Sequence, residues 1–288
     1  MTTPQSREHA LGAALGLVTD LYLKREDLHP GGSHKGRSIP IMIELAHQYG
    51  KRAFGISSSG NAALAAIRAV QAIDDDTSLQ VFVGERIDET KFALLEREIT
   101  TDRISLERVS NPKQRVFGLE KEGTITSLRQ STNDDALLGY HSLADELMEI
   151  DGLSAVFIPT SSGTTAQALG QRFRERGYRI QIHIVQTTAC HPIADDIDTD
   201  FTEAPSRAGA IVDRIALRKD QVRREIEQSR GSAWVVDNAR IEHAIKLTHE
   251  YAHLDISPNS ALGVSGLKKA LEKGWQPRGS VVCLITGR

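Results

Sequence analysis

The sequence has 288 residues, 40% of them hydrophobic and 25% charged, with 35 basic against 38 acidic side chains for a formal net charge of -3. That composition belongs to an ordinary globular chain, long enough for two modest domains with cores of their own. It has no apolar run of the ~18 residues that span a bilayer, no basic-then-apolar leader at its start, and no charge excess that would drive it onto nucleic acid.

Short β-branched runs alternate with helical periodicity from end to end. In chain order the pattern predicts a strand over 21–23, a helix over 38–49, a strand over 52–56 and an Ala-rich helix over 61–73. Strands follow over 79–83 and 155–158, then a helix over 164–176 and a strand over 182–185. The acidic, weakly patterned stretch 190–206 reads as a surface loop, and a helix over 241–253 and a strand over 280–285 close the series. Strands separated by enough chain for a crossover helix predict an α/β fold with mostly parallel sheets. The two cysteines, Cys190 and Cys283, make neither a disulfide framework nor a metal-type pair, so the reading is a cytoplasmic protein with reduced thiols.

Chemistry concentrates where strands run into helices. After the first strand, His29-Pro30-Gly31-Gly32-Ser33-His34-Lys35-Gly36-Arg37 carries a turn and then a lysine in the first turn of a helix. A lysine in that position is a candidate nucleophile for Schiff-base chemistry with a carbonyl or with pyridoxal phosphate. The plain alternative is a surface lysine after a turn. A second loop, Ser57-Ser58-Ser59-Gly60-Asn61, has hydroxyls and free N–H groups suited to a carboxylate, while Asn61 can donate to a ring oxygen. It reads equally well as a serine-rich N-cap. In the third, Pro159-Thr160-Ser161-Ser162-Gly163-Thr164-Thr165, small residues let the backbone approach a phosphate closely, and neither a Walker nor a dinucleotide pattern is present.

Taken in this order, the pieces resemble the fold-type II family of pyridoxal-phosphate enzymes, the threonine synthase, serine/threonine dehydratase and cysteine synthase group. The resemblance spans nearly the whole chain. It rests on Thr3-Pro4, on Lys24-Arg25-Glu26-Asp27 with Gly32-Ser33-His34-Lys35-Gly36-Arg37, on Ser59-Gly60-Asn61, and on Gly139-Tyr140-His141-Ser142-Leu143-Ala144. Ile184-Val185-Gln186-Thr187 with Pro192, and the ending Leu284-Ile285-Thr286-Gly287, are most similar to threonine synthases.

The resemblance implies a two-domain, tryptophan synthase β-like α/β fold of mostly parallel twisted sheets with helices on both faces. The larger cofactor-binding domain comprises 1–45 plus 139–288, and a smaller inserted domain, 46–138, closes over the active site. It also implies a pyridoxal 5'-phosphate-dependent lyase, most like a threonine synthase acting on O-phosphohomoserine. Lys35 then forms the Schiff base and moves the substrate α-proton, and Asn61 bonds the cofactor's ring hydroxyl. Ser58, Ser59, Gly60 and Asn61 hold the substrate; Ser161, Ser162, Gly163, Thr164 and Thr165 hold the cofactor phosphate; Thr286 faces the pyridine nitrogen. Ser33, Arg37 and Lys91 are the contributors to a second anion site for a substrate phosphate.

Two further readings stay open. One is a serine/threonine dehydratase or racemase with Ser59 as acid/base, and the other is a protein of this fold that binds the cofactor or an amino acid without turnover. The expected partners are a small amino-acid substrate and a second copy of the chain, with no nucleic acid, membrane or metal. The sequence departs from the family pattern at three places. Ser161, Ser162 and Thr164 stand where the phosphate loop usually has glycines, Ile256-Ser257-Pro258-Asn259-Ser260-Ala261 lacks a common acidic residue, and the chain begins at Thr-Pro and ends just past Thr286-Gly287, as a compact version would.

Two other patterns carry less. His249-Glu250-Tyr251-Ala252-His253 fits a zinc-protease pattern without a third ligand at the expected spacing. The stretches Arg172-Phe173-Arg174-Glu175-Arg176 and Arg218 to Glu225 interleave acids with bases, as on solvated helix faces.

Overall fold

The computed structural model describes residues 2–73, 76–198 and 205–287. In chain order it has β1 (Gln5–Arg7), α1 (His9–Leu15), β2 (Leu21–Arg25), α2 (Lys35–Gln48), β3 (Ala53–Ser57), α3 (Asn61–Gln71), β4 (Ser78–Gly84) and α4 (Glu89–Glu98). Next come β5 (Ile104–Val109), α5 (Pro112–Lys121), β6 (Thr126–Ser127), α6 (Asp135–Leu138), α7 (His141–Met148), β7 (Leu153–Pro159) and α8 (Thr164–Glu175). The last elements are β8 (Gln181–Thr187), α9 (Lys219–Ser229), β9 (Ser232–Val236), α10 (Asn238–Ala252), α11 (Pro258–Glu272) and β10 (Ser280–Ile285).

The chain divides into two compact units, Met1–Leu28 with Tyr140–Arg288, and His29–Gly139. The first unit is built on a sheet in the order β1-β2-β10-β7-β8-β9, parallel throughout except that β1 pairs antiparallel with β2 at the edge. A parallel sheet needs helices on both faces, so its strands read as continuous apolar runs. Every residue of β10 is buried accordingly. Phe157, Val281 and Cys283 pack with Ala261, Val264 and Leu267 of α11, while their neighbours Val156, Ile158, Val282 and Leu284 are buried on the opposite face.

The second unit is a parallel sheet in the order β5-β4-β3-β6. Phe54, Ile56, Val81 and Val83 meet Ile39 and Met42 of α2 and Ile67 of α3 on one face; Phe82 turns to the other face, against Val116 and Leu119 of α5. Helix α2, which the sequence reading assigned to the larger domain, clusters with this unit because it packs on α3 and α6, with Ser38 Oγ donating to Ala136 O at 2.8 Å.

All six expected strands are present as β2, β3, β4, β7, β8 and β10, and the four expected helices as α2, α3, α8 and α10. The stretch 190–206 needs a correction. Residues 199–204 lie outside the described residues, but Ile193 and Ala194 are fully buried, and the buried Gln186 Oε1 accepts from both of their N–H groups at 3.0 and 3.1 Å. Its first part is therefore anchored inside the first unit. Among the described residues no helix is long and apolar enough to cross a membrane.

Candidate active site

Lys35 is the first residue of α2, in the second unit. The turn before it is held by close backbone contacts. Gly32, at φ +79°, donates its N–H to His29 O at 2.6 Å, and Gly31 N–H donates to His29 Nδ1 at 3.0 Å. The Gly31 and Gly36 backbones touch, since a Cβ on Gly36 would stand 2.8 Å from Gly31 Cα. Behind the turn, Arg68 donates to Pro30 O at 3.3 Å and is itself held by Glu98 at 2.9 Å. Ser33 Oγ, fully buried, accepts the Lys35 N–H at 3.2 Å. The half-buried Lys35 is thus presented from a rigid turn, and among the described residues its Nζ takes part in no hydrogen bond or ion pair.

In the same unit, Ser58, Ser59 and Gly60 link β3 to Asn61, the first residue of α3. Ser58 Oγ accepts from Gly60 N–H at 3.3 Å. The Ser59 hydroxyl and the Asn61 amide have no side-chain hydrogen bond among the described residues, and no side chain caps α3. A Cβ built on Gly60 would meet nothing within 4 Å, so the loop faces open space.

The third junction lies in the first unit. Gly163, at φ +91°, is the N-cap of α8, and no N-cap side chain bonds to the start of this helix. A Cβ there would stand 2.5 Å from Val222 Cγ2 and 3.3 Å from Ile193 Cδ1, so the position admits only glycine in both conformation and space. Thr164 and Thr165 are buried, and Ser162 Oγ shares a hydrogen bond with Thr164 Oγ1 at 3.1 Å. Ser161 is engaged differently: its Oγ donates to Asp213 Oδ2 at 3.0 Å and accepts from the N–H groups of Val212 and Asp213 at 3.3 and 3.4 Å.

Arg218 lies against the same turn and corrects the reading of its stretch as a wholly solvated face. It is 3% exposed and donates to Gln167 Oε1 at 3.0 Å, one turn into α8. Asp213 was not singled out from the sequence, and Arg218 only as part of a solvated face, because nothing in a loop's composition says which strand-end it folds over. Several of the other basic residues form ion pairs, Arg172 with Asp145, Arg174 with Glu225 and Arg223 with Asp195.

Thr286 is buried just past β10. Here the missing acidic residue has a local counterpart: Ser260 Oγ donates to Gly287 O at 2.7 Å and accepts its N–H at 3.2 Å, while Ser257 Oγ reaches the same carbonyl at 3.0 Å. Hydroxyls at the start of α11 fix the segment carrying Thr286. Cys283, in the strand below, has its thiol pKa pushed well up by burial, which makes it a poor nucleophile. Of the suggested second anion set, Ser33 and Arg37 are buried at the lysine turn, whereas Lys91 is exposed on α4. His253 lies past the end of α10 at φ +53°, off the helical path, so it does not stack one turn beyond His249 as a zinc pair requires; His249 instead meets Asp255 at 2.8 Å.

The family model described as pyridoxal-phosphate dependent enzyme matches residues 2–287. The chain belongs to that family. A threonine synthase of Methanocaldococcus jannaschii is 26% identical over 308 residues, covering 99% of this chain and 74% of that protein. Among solved structures, a pyridoxal 5'-phosphate-dependent aspartate racemase aligns with a TM-score of 0.81 at 18% identity, over 100% of this chain and 90% of its own. The processed form of threonine deaminase isoform 2 from Solanum lycopersicum aligns with a TM-score of 0.81 at 16% identity, over 100% and 84% of the two chains. These are fold-type II pyridoxal-phosphate enzymes, and that is the fold of this member of the family.

Its cofactor is pyridoxal 5'-phosphate. The residues present fit that group in two respects: among the described residues Lys35 has an unpartnered amine for an aldehyde, and the glycine N-cap of α8, where no side chain caps the helix, suits a phosphate dianion.

Proposed function

We propose that this enzyme catalyses elimination and replacement on an amino acid in the manner of a threonine synthase, taking O-phosphohomoserine to threonine and phosphate. The observation that carries this reading is the similarity to a threonine synthase along 99% of the chain. In the proposal Lys35 Nζ would hold the cofactor, and the same amine would take the substrate α-proton and return it. Ser58, Ser59 and Gly60, with the leading N–H groups of α3, hold the substrate carboxylate, and Asn61 donates to the cofactor's ring oxygen. The N–H groups and hydroxyls of Ser161, Ser162, Gly163, Thr164 and Thr165 hold the phosphate. When bound, pyridoxal phosphate supplies an electron sink for the carbanion at the substrate Cα. Thr286 would be the residue facing the ring nitrogen, and a neutral hydroxyl there would offer no proton donor of carboxylic strength, which would favour elimination and replacement over transamination.

The free Ser59 hydroxyl favours a second reading, a dehydratase or racemase in which Ser59 serves as acid/base. Incubating the purified holoenzyme with O-phosphohomoserine, L-threonine and L-serine separates them. The first reading expects inorganic phosphate and threonine in equal amounts from O-phosphohomoserine. Keto acid or D-amino acid from serine or threonine, without phosphate release, selects the second.

A further inference from the structure

Between residues 205 and 218 the first unit carries a stretch with neither helix nor strand. Long irregular stretches inside a compact unit are uncommon and usually functional. Its backbone groups need partners all the same, and side chains of other elements supply several of them. Asn259 Oδ1, in the first turn of α11, accepts the Ala210 N–H at 3.0 Å. Ser161 Oγ accepts the N–H groups of Val212 and Asp213. Between these contacts Ala208 and Ile211 are buried in the core of the unit, and Arg218 closes the stretch on Gln167 of α8.

The two anchoring side chains belong to opposite parts of the site. Ser161 lies in the turn between β7 and α8. Asn259 stands between Ser257 and Ser260, whose hydroxyls hold Gly287 and with it the segment of Thr286 that follows β10. Because β7 and β10 are neighbouring parallel strands, both segments leave the same edge of the sheet. Residues 210–213 therefore run from one to the other as a strap. Ser161 stands where a glycine was expected, and a glycine side chain has no oxygen to receive the strap. Ordering one backbone residue costs roughly 1–2 kcal/mol, so a turn fixed beforehand loses little freedom when an anion binds.

We propose that this strap preorganises the phosphate turn and that Asn259 is the positioning residue that sets it. This rests on the phosphate-holding role proposed above for residues 161–165. Releasing Ala210 from Asn259 lets Val212 and Asp213 leave Ser161, and the N–H groups of the turn lose their fixed aim. The hold on the phosphate weakens while the hold on the rest of the cofactor stays.

The test is the ratio of the dissociation constants of pyridoxal and pyridoxal phosphate, from absorbance titration of the full chain freed of cofactor. The wild type is compared with Asn259→Ala, with Asn259→Asp, which keeps an oxygen for Ala210, and with Thr248→Val, which removes a buried hydroxyl inside α10 and leaves the strap alone. The wild type should favour the phosphate form. That preference should fall at least about fivefold in Asn259→Ala and stay within about twofold of the wild type in Asn259→Asp and Thr248→Val. Ser161→Ala should lower it too, and Ser161→Ala/Asn259→Ala by less than the product of the single effects, because one strap is released only once. An unchanged preference in Asn259→Ala, an equal fall in Asn259→Asp, or single effects that multiply overturns the proposal. So does equal weakening of both ligands, which marks a purely structural role. A wild type that binds pyridoxal as tightly as its phosphate would remove the phosphate-holding role of the turn and the strap's purpose with it, so the two failures are distinguishable.

Discussion

At Gly163 two demands meet: a left-handed backbone that turns the chain into α8, and no room for a Cβ beside Val222. Gly163→Ala is expected to cost about 1–3 kcal/mol of stability and to weaken cofactor binding about tenfold or more, by denaturant unfolding and cofactor titration. Asp213 makes the opposite case. Its carboxylate accepts from Ser161, in the loop proposed to hold a phosphate, and like charges there repel. Asp213→Asn keeps an acceptor for the Ser161 hydroxyl and removes the charge. Equilibrium dialysis should show the cofactor bound roughly threefold to tenfold more tightly, equivalent to about 1 kcal/mol; weaker binding would mean that Asp213 holds the loop in its working shape.

Among the elements, β1 depends on one buried charge. Lys24 Nζ, in β2 and fully buried, donates to Glu146 Oε2 of α7 at 2.5 Å and to Thr3 O at 2.8 Å, tying the N-terminal segment to the sheet. Removing one partner strands the other, so Lys24→Met should destabilise by about 3–5 kcal/mol, with Lys24→Met/Glu146→Leu milder. Urea unfolding of the single and double variants checks this. The same elements show what a linear sequence reveals. β7 and β10 were legible because both of their faces are buried and their apolar runs are unbroken. α11 was not: it is buried on nearly every side, so no amphipathic stripe marks it, and Gly263 and Gly266 sit where its backbone closes on Phe157 O and on Val185. The edge strands β5 and β6 alternate with polar residues or are very short.

For the whole molecule, stability carries a signature from His183. It is fully buried in β8, stacked 4.5 Å from Phe157, and its Nδ1 accepts from Trp234 Nε1 at 3.1 Å. Burial lowers its pKa to about 3. The unfolded chain therefore binds a proton near pH 6.5 that the folded chain refuses until about pH 3. Its contribution is complete above that upper value and is lost as pH falls, at roughly 1.4 kcal/mol per pH unit. Chemical unfolding at pH 7 and 5 should show a smaller acid loss for His183→Phe than for the wild type, whatever the variant's absolute stability.

Across the chain, the junctions that open α2, α3 and α8 could be read from the sequence because glycine, serine and lysine mark strand-to-helix turns locally. Asp213 and Arg218 could not, since their places depend on how distant loops return to a sheet edge. At the first of these junctions, borohydride reduction of the holoenzyme followed by peptide mass mapping tests whether Lys35 carries the cofactor. The prediction is a reduced pyridoxyl-phosphate adduct on the peptide containing Lys35 and on no other, absent in Lys35→Ala. An adduct on a different lysine, or the same labelling in Lys35→Ala, would contradict it.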